Sequence, residues 1–116
     1  MITKEILNSV PKVLLHDHLD GGLRPQTIID LADDLHYKKL PTRDKDELAN
    51  LFYVGANKGN LVEFLKGFEH TTAVMQTKDG IERVAYEMME DMKADAVAYV
   101  ETRFAPVYHT NKDLYL

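Results

Sequence analysis

The N-terminal part of the chain places two apolar segments on either side of a proline. Residues 3–10 carry their apolar side chains at helical spacing, and Pro11 ends that pattern, so a short helix is predicted there. The next segment, Lys12–His18, contains the uninterrupted apolar run VLL, which is typical of a strand covered on both faces in a parallel sheet. Gly21 and Gly22 end this predicted strand.

In the middle of the chain, apolar residues recur mostly at helical spacing. A helix is predicted to open at Pro25, because proline is favoured in a first turn, and a weaker, shorter helix lies around residues 44–52. Asn60 can cap a third helix, with Glu63 three residues later forming something close to a capping box, and Thr77 can cap a fourth. The apolar positions of the three stronger helices are Ile28, Ile29, Leu31, Ala32 and Leu35; Leu61, Phe64, Leu65 and Phe68; and Ile81, Val84, Ala85, Met88, Met89 and Met92.

A second strand follows these helices. Residues 96–104, AVAYVETRF, have the apolar and β-branched content of a strand and end at Ala105 and Pro106. Helices between two such strands are typical of a parallel α/β unit with crossover connections. Because no repeat, low-complexity tract or linker divides residues 1–116, we expect one continuous structural piece.

Composition mainly excludes classes of function. The chain is 45% hydrophobic and 28% charged, as in ordinary globular proteins. A net charge of −5 argues against a nucleic-acid partner, which would require clustered Lys and Arg. The absence of Cys removes disulfides, thiolate nucleophiles and Cys-based zinc sites. The start lacks a secretory-signal pattern and no run is long enough to span a bilayer, so we expect a cytoplasmic location without a membrane partner.

Two histidines at the exit of the first strand are the main candidates for chemistry. Side chains alternate along a strand, so His16 and His18 project to one side and Asp17 to the other. They lie at the carboxyl end of the strand, where α/β barrels place active sites, and neutral imidazole suits zinc. The alternative is that either one is a core or exposed histidine without a ligand. Asp20 either orients a substrate hydroxyl or forms an Asx turn.

Three blocks, in this order along the chain, resemble a known family. The stretch PKVLLHDHLDGGLRP is similar to the first-strand signature of the adenosine deaminase family of zinc amidohydrolases. NLVEFLKGF resembles the family's helix that bears two phenylalanines near the purine pocket, and AYVETRFAP resembles its second barrel strand. The resemblance implies that the chain is the α/β N-terminal part of a (β/α)8 TIM barrel, with its first two strands and the helices between them.

The resemblance also implies roles for single residues. His16 and His18 would be zinc ligands, and His18 would also lie beside the substrate. Asp20 would accept a hydrogen bond from the ribose 5′-hydroxyl of a purine nucleoside. Phe64 and Phe68 would wall the apolar side of the pocket, although helical spacing alone assigns such a stripe to core packing. The implied activity is the zinc-dependent hydrolytic deamination of adenosine or 2′-deoxyadenosine to inosine or 2′-deoxyinosine and ammonia, a step of purine metabolism.

Essential parts of such an enzyme are missing from this sequence. Catalytic zinc is ordinarily held by at least three protein groups, whereas this chain offers two, and the family's general acid/base glutamate belongs to a later strand. We therefore expect no catalytic residue here, an inactive isolated chain, and a barrel completed by the remaining segment of the same protein. Cleavage into two chains that stay associated is favoured over a lone fragment of a longer protein, because such a fragment would expose an unpaired apolar sheet edge and tend to aggregate. Two alternatives stay open: a non-catalytic binding or folding unit, and a zinc deaminase acting on adenine or a modified nucleoside. Asp20 argues against free adenine, which has no 5′-hydroxyl.

The remaining charged and histidine residues are expected to be structural. Glu101 and Arg103 share a strand face, and since buried charges are tolerated chiefly when paired, an ion network is expected there. His36, His70 and His109 match no motif and are expected to be ordinary surface or helix-end residues.

Overall fold

The computed structural model describes residues 1–111 and Leu114. Its regular elements follow the order that the sequence predicts, with α-helices between the two described strands. In chain order they are α1 (Lys4–Ser9), β1 (Lys12–His18), a 3-10 turn (Leu19–Gly21), α2 (Pro25–Asp34), α3 (Lys45–Ala56), α4 (Leu61–Val74), α5 (Lys78–Ala94), β2 (Val97–Arg103) and a second 3-10 turn (Pro106–His109).

The two strands pair side by side and run parallel, as predicted. The ladder joins Lys12 to Val97 at its start and His18 to Arg103 at its end, with irregularities between Lys12 and Val13 and between Leu14 and Asp17. The carboxyl ends of both strands therefore meet at one edge of the sheet. The segments that follow the strands, including both 3-10 turns, begin at this edge.

Side chains at the helix starts explain where most helices begin. The N-cap oxygens of Asp44, Asn60 and Thr77 each accept a hydrogen bond from a first-turn backbone N–H, which satisfies donors that the helix itself leaves free. The predicted capping box is wrong, because the Glu63 carboxylate pairs with Lys58 and Lys66 instead. Helix α3 is also four residues longer at its C-terminal end than the predicted 44–52 segment, and it ends at Ala56.

The hydrophobic core lies among the helices. It combines residues from α2 to α5 with the first 3-10 turn and adjoining loops, and four of its residues are completely shielded from solvent: Ala32, Leu48, Val74 and Met75. The predicted apolar positions of α2 are confirmed, since all but the half-buried Leu35 are buried. In α5 the prediction fails at Met89, which is 54% exposed. The full set of core residues is Leu19, Leu23, Ile28, Ile29, Leu31, Ala32, Leu40, Leu48, Val74, Met75 and Val84.

The sheet, by contrast, is not covered by this chain. The predicted burial of the VLL run on both faces is wrong here, because Val13 and Leu15 are 58% and 62% exposed. Tyr99 on β2 is exposed as well. The physical reason is that within the described residues each strand has only the other as a neighbour. Apolar strand residues left in this state require further strands or helices to shield them.

Ion pairs join α2 and its N-cap residue to α5. The Arg24 guanidinium contacts the Asp91 carboxylate through two nitrogens, at 2.6 and 3.2 Å from Oδ1, and these hydrogen bonds are the main cause of its raised pKa. Arg83 donates to both Asp30 and Glu87 at 2.8 Å. The two arginines thus fix the relative position of the helices that connect β1 to β2.

Of the helices in residues 1–111, none combines the length and apolar character that crossing a membrane requires.

Candidate functional site

His16 and His18 come together at the carboxyl end of β1. Their Nε2 atoms are 3.0 Å apart and their ring centroids 5.0 Å apart, so the two rings lie on the same side of the strand, as the alternation of side chains predicts. Each neutral imidazole has one nitrogen with a lone pair and one with a hydrogen. The two Nε2 atoms can therefore share one hydrogen between them or both direct lone pairs at a common cation.

The spacing of these nitrogens fits two ligands of one zinc ion. With Zn–N bonds of about 2.0–2.1 Å in a tetrahedral site, two ligand nitrogens lie about 3.3 Å apart, close to the observed separation. The described residues contain no cluster of three or more His, Asp, Glu or Cys side chains that could hold a metal by itself. Within the described residues, His16 and His18 could therefore supply two nitrogen ligands to a cation but not a complete ligand set.

Asp20 is buried next to His18. The 3-10 turn Leu19–Gly21 inserts Leu19 into the core and leaves the Asp20 side chain only 4% exposed. Its Oδ2 accepts a hydrogen bond of 3.1 Å from the backbone N–H of Ala105, just beyond β2. Its Oδ1 lies 3.7 Å from Nδ1 of His18 and has no hydrogen-bond partner among residues 1–111 and Leu114. Asp20 does not form the alternative Asx turn, because its carboxylate accepts its hydrogen bond from Ala105, a residue distant in sequence.

The apolar stripe of α4 faces the histidines and not the core. Leu61, Phe64 and Leu65 are 69%, 43% and 49% exposed, so the expectation of core packing from helical spacing is wrong. The rings of Phe64 and Phe68 meet at a centroid distance of 5.7 Å, and Phe68 meets His18 edge-on at 6.3 Å. The Phe68 ring also lies over Gly21, where a Cβ atom would be 2.6 Å from it. Glycine at position 21 is thus what lets α4 approach the strand exit.

These residues line one open cavity. It has a volume of about 870 Å³, within the usual range for small-molecule sites, and is bordered by apolar side chains on the α4 side and polar groups on the strand side. The structure therefore brings His16, His18, Asp20, Phe64 and Phe68 together around a single space. Residues at its border that sequence analysis did not single out are Glu69, Thr72, Ala105 and Tyr108.

His109 is buried, unlike the surface histidine that the sequence suggests. It ends the second 3-10 turn, as a helix-end residue, but it is 2% exposed and therefore not an ordinary surface residue. Its Nε2 lies 3.7 Å from Oδ2 of Asp20. No local pattern signals this position, because the contacts of His109 reach back to residues 75 and 20. Of the other two, His36 is exposed and His70 is half-buried against Tyr37.

Among the described residues, the expected ion network on β2 does not form. Glu101 accepts a hydrogen bond from the Tyr99 hydroxyl, and Arg103 donates to the carbonyl of Leu15. Within residues 1–111 no ion pair joins Glu101 to Arg103. Both side chains are exposed here, so neither requires a partner to offset desolvation.

Comparison with solved structures defines the class of the fold. The chain superposes on the Arabidopsis N6-mAMP deaminase MAPDA with a TM-score of 0.65 and 31% identity, covering 88% of this chain and 29% of that one. Arabidopsis ADAL complexed with IMP gives a TM-score of 0.64 and 30% identity with the same coverage. The fold is thus the α/β beginning of a deaminase barrel, its first two parallel strands with the helices that connect them.

Sequence comparison assigns the family. The adenosine deaminase family model matches residues 11–116. Adenosine deaminases of Mycobacterium ulcerans (strain Agy99) and Mycobacterium marinum (strain ATCC BAA-535 / M) are each 51% identical over 114 residues, which is 98% of this chain and 32% of theirs. The chain belongs to the adenosine deaminase family and spans about a third of the length of these relatives.

Proposed function

We propose that residues 1–116 supply the first two zinc ligands and one wall of the nucleoside pocket of a zinc-dependent adenosine deaminase. The observation that carries the proposal is the convergence of His16 and His18 at a strand end that borders the cavity. The reaction is the hydrolysis of adenosine or 2′-deoxyadenosine: the oxygen of water bonds to C6, the bond from C6 to the exocyclic nitrogen breaks, and ammonia leaves.

The role of the two histidines in this proposal is to hold the metal. When bound, zinc supplies Lewis acidity that makes a water molecule a better nucleophile near neutral pH. His16 and His18 direct their Nε2 atoms to one place, on a strand whose backbone is fixed by pairing with β2. The completing ligands and the glutamate that exchanges protons with the purine belong to strands outside this chain.

Asp20 is proposed to bind the ribose. A carboxylate buried in protein needs hydrogen bonds, and Oδ1 of Asp20 has none within the described residues, although Oδ2 is bonded to Ala105. A 5′-hydroxyl donating to Oδ1 would satisfy it. This contact would orient the nucleoside so that its base lies between His18 and the α4 wall. Free adenine would leave the carboxylate oxygen without a donor.

Phe64 and Phe68 are proposed to contact the purine. Their rings form an apolar, partly exposed surface opposite the polar strand end. A planar base that packs on such rings buries apolar surface, excludes water from the reacting carbon and gains favourable aromatic contacts. The exposure of these rings in this structure is what a ligand-binding wall requires and what a core position would not show.

The charge of the cavity favours a nucleoside over a nucleotide. Among the described residues at its border, the charged side chains include the carboxylates of Asp20 and Glu69, whereas none is Lys or Arg. A 5′-phosphate carries about −1.5 to −2 charges at neutral pH and would face Asp20 without a cation to offset the repulsion. The similar Arabidopsis structures are nevertheless those of an N6-mAMP deaminase and of ADAL complexed with IMP, so deamination of a modified nucleoside monophosphate is the second candidate.

The remaining barrel segment is the proposed partner of this chain. The exposed apolar residues of β1 and β2 provide the surface against which the next strands would pack. In this proposal residues 1–116 are one part of a single barrel domain and not an independent domain. The cytoplasmic location inferred from the sequence stays a prediction.

Spectrophotometry of the full-length protein with zinc tests the proposed function. The decrease in adenosine absorbance is expected, with kcat/KM for adenosine exceeding that for AMP and N6-methyl-AMP by at least about a hundredfold, the order of discrimination against an unpaired charge. Turnover of the monophosphates with adenosine left unchanged would favour the second candidate and contradict the first. An Asp20→Ala variant should mainly raise KM for adenosine, and an unchanged KM would remove the role assigned to Asp20.

A further inference from the structure

The segment that follows β2 holds one oxygen of the Asp20 carboxylate, and the other oxygen lies next to His18. The Ala105 N–H donates to Oδ2 at 3.1 Å, and this bond links residues 85 positions apart. It leaves Oδ1 as the oxygen without a partner in the described residues. The direction of Oδ1 therefore depends on where the backbone at Ala105 lies. Segments after strands are ordinarily among the more mobile parts of a fold, so this one needs an anchor.

Gln76 provides the first anchor for this segment. Its side chain is almost completely buried, and its amide nitrogen donates to the carbonyl oxygens of Tyr108 and Thr72 at 2.8 and 2.6 Å. Its amide oxygen accepts from the backbone N–H of Asn111 at 3.0 Å. One side chain from the loop between α4 and α5 thus clasps the backbone on both sides of His109. Buried amides with all groups bonded hold their surroundings rigidly.

His109 provides the second anchor and touches Asp20 itself. Its Nδ1 lies 2.9 Å from the Met75 carbonyl, and since a carbonyl can only accept, Nδ1 is the donor of this bond. Its Nε2 lies 3.7 Å from Oδ2 of Asp20, too long for a direct hydrogen bond but close enough to block movement of the carboxylate in that direction. Within the described chain neither Gln76 nor His109 borders the cavity.

We propose that Gln76 and His109 are positioning residues for Asp20. They fix the backbone of residues 105–111 so that the Ala105 N–H keeps Oδ2 and leaves Oδ1 for the 5′-hydroxyl of the substrate. The inference rests on the proposed function, because it requires Asp20 to bind that hydroxyl. It adds residues that touch neither substrate nor metal and that determine how strongly the hydroxyl is recognised.

A comparison of adenosine with 5′-deoxyadenosine isolates this effect. The second nucleoside lacks only the hydroxyl that Asp20 would bind, so the ratio of the two kcat/KM values measures that one contact. Both values come from the same preparation, and the fraction of correctly folded protein cancels in the ratio. A hydrogen bond to a charged group corresponds to a preference of about 10- to 100-fold for adenosine in the wild type.

The variants are Gln76→Met and His109→Leu in the full-length protein with zinc. Each is expected to lower the preference for adenosine by about tenfold through a higher KM, while kcat/KM for 5′-deoxyadenosine changes by less than about threefold. His109→Asn keeps a donor in reach of the Met75 carbonyl and should retain most of the preference. His36→Asn is the matched control: His36 is exposed with a φ of 54°, a conformation that asparagine accepts.

The outcomes separate this inference from the proposed function. Equal losses for both nucleosides, with the ratio unchanged, would show a purely structural role for Gln76 and His109 and overturn the inference alone. A wild-type protein that deaminates neither nucleoside, or that does not prefer adenosine, overturns the proposed function or the role of Asp20, and the inference with it. If Gln76→Met does not fold, Gln76→Asn replaces it, since the shorter amide cannot reach both Tyr108 and Asn111, and the same drop in the ratio is expected.

Discussion

The close approach of α4 to the strand exit depends on the absence of a side chain at Gly21. A Cβ atom there would lie 2.6 Å from Cζ and 3.0 Å from Cε1 of Phe68, whereas carbon atoms in contact ordinarily lie about 3.5–4.0 Å apart. In Gly21→Ala the Phe68 ring must therefore move by about 1 Å. The φ angle of Gly21 is not positive, so alanine adds this clash without backbone strain.

The ring borders the cavity and has two aromatic neighbours, His18 and Phe64, so part of its movement is into open space. Overpacking costs about 1–3 kcal/mol in a closed core, and because the cavity gives the ring space we expect about 1 kcal/mol of lost unfolding free energy. KM should rise several-fold, and equally for adenosine and 5′-deoxyadenosine, since Phe68 is assigned to the base and not to the hydroxyl. Urea unfolding and steady-state kinetics of the full-length protein measure the two effects.

Gly22→Ala is the matched control for this prediction. A Cβ atom at Gly22 would have its nearest neighbour, the His18 carbonyl oxygen, at 3.7 Å, which is an ordinary contact. This variant should keep the wild-type KM for both nucleosides. Equal KM values for Gly21→Ala and Gly22→Ala would refute the reasoning that Phe68 is positioned by its contact with Gly21.

Two further predictions concern stability, measured by denaturant unfolding of the full-length protein. Leu48→Ala should lower the unfolding free energy by about 2–5 kcal/mol, because Leu48 is completely buried, whereas Leu51→Ala on the exposed face of the same helix should cost under about 1 kcal/mol; similar losses would contradict the assigned core. Hydrogen bonds from Gln26 and then Arg83 lower the pKa of Asp30 below 3.8. The contribution of ionised Asp30 to the unfolding free energy is therefore complete above pH 3.8, and it is lost as the pH falls through the folded pKa. Asp30→Asn should therefore cost under about 1 kcal/mol at pH 7, since the side chain is 38% exposed, and nothing near pH 2; a constant difference would contradict the ion pair.

Local signals in the sequence predict the elements well. The bounds of β1 agree with the predicted strand, Asn60 and Thr77 cap the helices that they were expected to cap, and Pro25 lies in the first turn of α2. Each of these features depends on residues within four or five positions, which is the range over which helical periodicity and capping act. The pairing of His16 with His18 is predictable for the same reason, because alternation within one strand determines it.

Contacts between distant residues account for what the sequence does not predict. The Asp20 to Ala105 bond and the burial of His109 join segments from opposite ends of the chain, and no spacing pattern indicates them. The α4 stripe has the periodicity of a core helix, but periodicity cannot tell a core from a cavity wall. Likewise, the apolar run of β1 correctly indicates a strand that needs cover, yet the cover is not provided by the described residues.

Zinc analysis of the full-length protein tests whether His16 and His18 are metal ligands. Metal content and zinc-edge X-ray absorption are measured for the wild type, for His16→Ala and His18→Ala, and for the exposed control His36→Asn. Zinc with imidazole ligands is expected in the wild type and the control, and loss of zinc or of imidazole coordination is expected in the other two variants. Full zinc content with an unchanged absorption spectrum in His16→Ala and in His18→Ala would contradict the assignment of these two residues as ligands.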